Sequence, residues 1–178
     1  MRYQDIKRHL KPYAIVAMRK TTINHAFASA IAPCDDYDDG RVRKAMEDLG
    51  QDPDKDLDCV YCASSAETWD HVFATVKQSQ FSGHGHRLGN LVPCCKPCNS
   101  KKGNKSWDTY LSALNQPEEE LSSRRVLIQE YLSKHKVLDP LFENHPDYQE
   151  LHEIKVRVLA LLAQADVLVN QIRRRNAV

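Results

Sequence analysis

Long apolar runs are missing from this 178-residue chain. The nearest approach, residues 156–169, is broken by Arg157, Gln164 and Asp166, so nothing resembles the roughly 20 apolar residues a bilayer span needs. The N-terminus carries Arg2, Lys7 and Arg8 but neither an apolar stretch nor a cleavage pattern, which argues against a signal peptide. A cytoplasmic protein without membrane association is the expectation. Internal repeats and low-complexity tracts are absent too, as is the βαβ setting in which a single Cys-x-x-Cys serves redox chemistry. Between His71 and Trp107 there is no Asp or Glu at all, while Lys77, Arg87, Lys96, Lys101, Lys102 and Lys105 all fall there.

A formal net charge of +1 hides that polarity, because residues 35–58 hold ten acidic and four basic side chains. On charge alone, the basic stretch reads equally well as a solvated face or as a patch for phosphate. With 42% hydrophobic and 28% charged residues, the chain suits one compact domain with elaborations, or a small module between helical flanks.

Texture divides the chain into three. Residues 1–50 read as helical: a short segment at 3–10, then a helix with Pro12 in its first turn, carrying Ile15, Val16, Met18, Ile23, Phe27 and Ile31. The Asp run at 35–39 lacks the ligand spacing of a calcium loop and reads as a solvated entry to a helix at 41–49, which Gly50 can end. Residues 51–115 bear the cysteines, glycines and histidines, with β-like runs at 68–75 and 90–93 and helices at 97–102 and 107–114, the latter capped by Ser106. Residues 116–178 are helical again, at 118–136 and within 145–175. There Leu151, Ile154, Val158, Leu161, Ala165, Leu168 and Ile172 step by three and four. Such a seam can pair two protomers as a homodimer or pack on the N-terminal helices of its own chain.

Of the six cysteines, Cys59 and Cys62 form one Cys-x-x-Cys knuckle and Cys95 and Cys98 another of identical spacing. Two intervening residues let both sulfurs of a knuckle reach one ion, and four thiolates complete a tetrahedral zinc site. Cys94 adjoins a ligand and can exchange with Cys95, although the matching spacing favours Cys95. Cys34 has no partner in sequence and is expected to be a buried thiol. A four-cysteine site leaves no coordination position open, so it holds structure and does no chemistry.

What the knuckles bracket is more telling. Asp70-His71 lies at a strand-like position, followed by Gly89-Asn90-Leu91-Val92-Pro93, and Asn99 with Lys101-Lys102-Gly103 comes directly after Cys98. This ordered set, from Cys59 to about Trp107, resembles the HNH nucleases of the ββα-metal class. The resemblance implies an α+β chain: a ββα-metal core on a four-cysteine zinc frame, flanked by N- and C-terminal helical segments. It implies phosphodiester hydrolysis in DNA, with restriction or defence as a setting. His71 would be the general base, a neutral imidazole near pH 7. Asp70 and Asn99 would give oxygens to a catalytic magnesium or manganese ion, and Asn90 would hydrogen-bond across the loop to hold the strand carrying His71. Asn99 departs from the nominal histidine of the family name but keeps a ligand atom. Arg87, Lys101, Lys102 and Lys105 are the candidates for DNA phosphate contacts. His84 and His86 lie in the loop between the strands with no assigned task. The competing expectation is a zinc-dependent nucleic-acid-binding module that has lost its chemistry. Taken singly, His71 can be structural, Asn90 a turn residue and Asn99 a helix cap.

Overall fold

The computed structural model describes residues 2–140 and 144–176. Among these the chain is mixed, with six α-helices and two small antiparallel sheets. It divides into two compact units, one drawn from residues 1–27 and 142–178 and the other from residues 28–141. This division cuts across the three segments suggested by texture, because helices on both sides of the cysteine-rich stretch contribute to its core.

In the larger unit, α2 (Asp39–Asp48) starts where the Asp38 carboxylate accepts from the Arg41 amide at 2.7 Å, so the acidic run does serve as a helix entry. Gly50, with φ at +72°, closes the helix in the left-handed region. Strand β1 (Thr68–His71) pairs antiparallel with β4 (Leu91–Cys94), setting Asp70 opposite Val92 and His71 opposite Leu91. Helix α3 (Lys96–Lys102) follows at once, then α4 (Trp107–Ser112), which Ser106 caps by accepting from the Thr109 amide at 3.1 Å. Between β1 and β4 a small hairpin, β2 (Val76–Lys77) and β3 (Gln80–Phe81), turns through Gln78 and Ser79, both at positive φ. Sequence did not announce this hairpin, because neither residue is the Asn-Gly or Asp-Gly that usually marks such a turn.

Helix α5 (Glu118–His135) supports the underside. Its Tyr131, fully buried, donates through its hydroxyl to the backbone oxygens of Leu88 and Leu91. Its end carries Lys134 and His135 onto the Asp48 carboxylate of α2, at 2.9 and 3.0 Å. Gly89 is required there, since a Cβ would fall 1.9 Å from the His135 carbonyl oxygen. Leu49, Val60, Tyr61, Val72, Val92, Leu111, Ile128 and Tyr131 make one apolar cluster that also encloses Cys59, Cys94, Cys95 and Cys98. The two cysteine knuckles are therefore part of the main core.

In the smaller unit, α1 (Ile15–Ala30) has its first turn capped from a distance: Asp166 of α6 (Pro146–Arg175) accepts from the Ile15 and Val16 amides at 2.7 and 3.0 Å. The helix begins at Ile15, where the carboxylate satisfies its open amides, and Pro12 lies ahead of it. Residues Tyr3–Arg8 form a 3-10 turn. Among the described residues, no helix is long and apolar enough to cross a membrane.

Candidate functional site

The sulfurs of Cys59, Cys62, Cys95 and Cys98 all lie within 4.8 Å of one another. Cys62 and Cys95 are 3.7 Å apart, close to the separation of about 3.8 Å that a tetrahedral ion with metal–sulfur bonds near 2.3 Å demands. The first knuckle closes through Ala63, at positive φ, whose amide bonds the Cys59 carbonyl at 2.8 Å. The donor set fits zinc. Cys94 stands outside the four: its thiol is fully buried, 3.9 Å from the Cys59 sulfur and 3.3 Å from the Cys95 carbonyl. Hydrogen bonding from Cys94 lowers the Cys59 thiol to about 4, favouring the thiolate a metal needs. Cys34, expected to be buried, is instead exposed; its backbone bridges to His86 while its thiol stays outside the core.

His71 ends β1, half-buried, with Nε2 2.9 Å from Nδ1 of His86. Burial, then the neighbouring His86 and Lys102, push it down to about 4, so it is neutral across the physiological range. His86 is held rigidly. Its amide donates to the Pro33 carbonyl at 2.7 Å and its carbonyl accepts from Asp35 at 3.3 Å. Gly85 permits this approach, for a Cβ there would meet the Pro33 oxygen at 2.2 Å. The loop between the strands is thus pinned. His84, its other histidine, stacks on Phe73 with ring centres 4.5 Å apart.

Asn90 is buried, and its side chain accepts from the Phe73 amide at 2.8 Å and donates to the carbonyls of Phe73 and Gly85 at 3.0 Å each. It ties the segment after His71 to the loop carrying His86. Asn90→Ala leaves these backbone groups unpaired in a dry setting and is expected to cost on the order of 2–3 kcal/mol. Urea unfolding checks this; an unchanged midpoint would show that the three bonds contribute nothing.

Asp70 departs from expectation. It points into the core, where the Tyr61 hydroxyl donates to it at 2.8 Å and the Lys102 ammonium sits 3.0 Å away. Burial raises its carboxyl while Lys102 and Tyr61 pull it back. Lys102, whose side chain is wholly inaccessible, also donates to the His71 carbonyl at 2.7 Å. Asn99 spends its amide nitrogen on the Trp69 carbonyl at 3.1 Å, leaving only its side-chain oxygen. Asp70 and Asn99 therefore do not form an open two-oxygen cage for magnesium or manganese as they stand.

Two of the four proposed phosphate contacts also need correction. Lys102 is buried for a reason visible in the helix: it follows Cys98 by four residues, on the same inward face. Arg87 is neutralised by Asp139 at 2.6 Å and Asp35 at 2.9 Å. Lys101, in the last turn of α3, and Lys105, in the turn that follows it, remain exposed. Sequence reasoning missed Asp139, which also accepts from the Gly85 amide at 3.2 Å; 52 residues from Arg87, it gives no local signal. It left His86 unassigned, although an Asp-free loop with two histidines was a cue. Comparison with protein-family models, with curated proteins and with solved structures finds no match for the chain.

Proposed function

We propose that the chain is an endonuclease of the HNH type that hydrolyses phosphodiester bonds in DNA, with restriction or defence as its setting. The observation that carries this reading is the neutral His71 at the end of β1, its Nε2 engaged by His86, beside a helix that begins on a zinc knuckle. In this reading His71 Nε2–H donates to His86, and Nδ1 takes a proton from water as that water attacks phosphorus; the bond from phosphorus to the deoxyribose oxygen breaks, and that oxygen takes a proton from solvent. Lys101 and Lys105 contact the DNA backbone. If a magnesium or manganese ion were bound, the Asn99 side-chain oxygen would be the ligand that α3 offers it, and the ion would offset negative charge on the phosphate. Zinc holds the frame.

A specific observation favours a second reading, a zinc-stabilised nucleic-acid-binding module without catalysis: the carboxylate expected to hold the ion is sealed against Lys102.

Supercoiled plasmid incubated with the protein and magnesium or manganese decides between them. The nuclease reading expects nicking that falls by about 10²–10⁴-fold in His71→Ala. Because His71 titrates near 4, the acid limb of the rate should lie below the ordinary histidine value of about 6.5. Equal inertness of wild type and variant, with zinc and DNA binding retained, establishes the binding module instead.

A further inference from the structure

Among the described residues, α6 carries an exposed apolar stripe. On α6, Leu151, Val158, Leu162, Ala165 and Val169 are half-buried and Lys155 is buried, marking the face turned to the chain's own fold. The stripe beside it is open. Leu161 is 62% exposed, Leu168 58% and Ile172 57%, with Ile154 at the margin of exposure. Ile154, Leu161 and Leu168 recur every seven residues and Ile172 follows four later, so they form a straight seam along a helix of 30 residues. At 1.5 Å per residue that helix is about 45 Å long. A row of large apolar side chains at this spacing is the surface that a second helix of the same pattern covers by knobs-into-holes packing.

The charges along α6 say which helix and in which direction. Asp147, Glu150 and Glu153 are exposed in its first turns, and Arg174 and Arg175 in its last. Two copies side by side and parallel would set arginines against arginines and carboxylates against carboxylates. Antiparallel, with Leu161 against Leu161, the Asp147 and Glu150 end of each copy meets the arginine end of the other. The helix dipoles then also oppose one another. Glu150, Arg157, Gln164 and Arg175 border the stripe on its open side, a polar rim to an apolar centre.

We propose that this seam is a homodimer interface, in which the α6 helices of two copies pack antiparallel through Ile154, Leu161, Leu168 and Ile172. The partner is a second copy of this chain, because the stripe is self-complementary in both spacing and charge. The dimer does not depend on nuclease activity. It would put two sites in one particle, as cutting both strands of a duplex requires.

Sedimentation equilibrium of the full chain at micromolar concentrations should return twice the 20.4 kDa chain mass. Leu161→Glu with Leu168→Glu should give a monomer whose circular dichroism spectrum and melting profile match the wild type. Arg175→Glu should weaken association by about tenfold, and adding Glu150→Lys should restore it. A wild-type monomer throughout the range overturns the proposal, leaving the stripe to a partner of another sequence. A dimer indifferent to the two glutamates overturns the seam. A dimer lost on those glutamates, yet untouched by charge reversal and its rescue, overturns the antiparallel arrangement. Folding is read separately from mass, so a misfolded variant is recognised, and Leu168→Gln alone then serves as the milder test.

Discussion

Cys98→Ser is expected to leave the chain without zinc and without a stable core in its larger unit. Four sulfurs within 4.8 Å meet among the apolar side chains of α2, α4 and α5, so the knuckles cannot open without exposing that cluster. Structural zinc in small domains contributes on the order of 10 kcal/mol or more, comparable with the whole stability of a typical domain, about 5–15 kcal/mol. Removing one ligand leaves three sulfurs and an incomplete tetrahedron. Cys94 is the internal control. Its sulfur is next to the cluster but outside it, so Cys94→Ser should keep one zinc per chain and lose only packing and a thiol hydrogen bond. Metal analysis with thermal melts checks both, and Trp107, buried in the same core, reports unfolding by fluorescence. Cys98→Ser with zinc bound and an unchanged melt would sink the assignment, and full loss in Cys94→Ser would move the fourth ligand to Cys94.

Lys102→Ala should be the most damaging single change outside the cysteines, at about 3–5 kcal/mol. It strands the Asp70 carboxylate in a dry setting with only the Tyr61 hydroxyl for company, and it leaves the His71 carbonyl without its donor. Asp70→Asn strands the ammonium instead and should cost a similar amount. The double change Asp70→Asn with Lys102→Met should recover much of the loss, because a neutral, well-filled site carries no desolvation cost. The coupling read from this double-mutant cycle should be well above 1 kcal/mol. Additive losses would mean that the two side chains do not act as a pair in solution. The cycle bears on function too. Cleavage that survives in the refolded double variant places Asp70 behind the site as support for β1, whereas cleavage lost at full stability makes its carboxylate part of the chemistry.

Much of the secondary structure was legible. Ser106 caps α4, Gly50 ends α2, and the long terminal helix falls where the three-and-four spacing put it, because these signals act within a few residues. The two equal knuckles likewise declare a four-sulfur cluster, since spacing alone sets what two sulfurs of one turn can reach. The hairpin at Gln78-Ser79 was not legible, because its turn residues carry no preference strong enough to stand out.

In the candidate site, local pattern and tertiary environment separate residue by residue. The resemblance supplied Asp70, His71, Asn90 and Asn99 as a set, and sequence spacing the bracket of cysteines around them. It could not tell that His86 would be carried back onto His71 by a strand-like bridge to Cys34, or that Asp139 would come 52 residues to neutralise Arg87. Nor could it decide the fate of a charge. Lys101 and Lys102 are neighbours of identical chemistry, yet one lies in water and the other under the core, because a helix turns about 100° per residue and Cys98 had already fixed the inward face. Residue type and spacing determine which groups can reach one another along the chain. Which carboxylate faces which ammonium, and which of them keeps its water, is decided only when distant segments close over the same core and make an unpaired charge too costly to leave there.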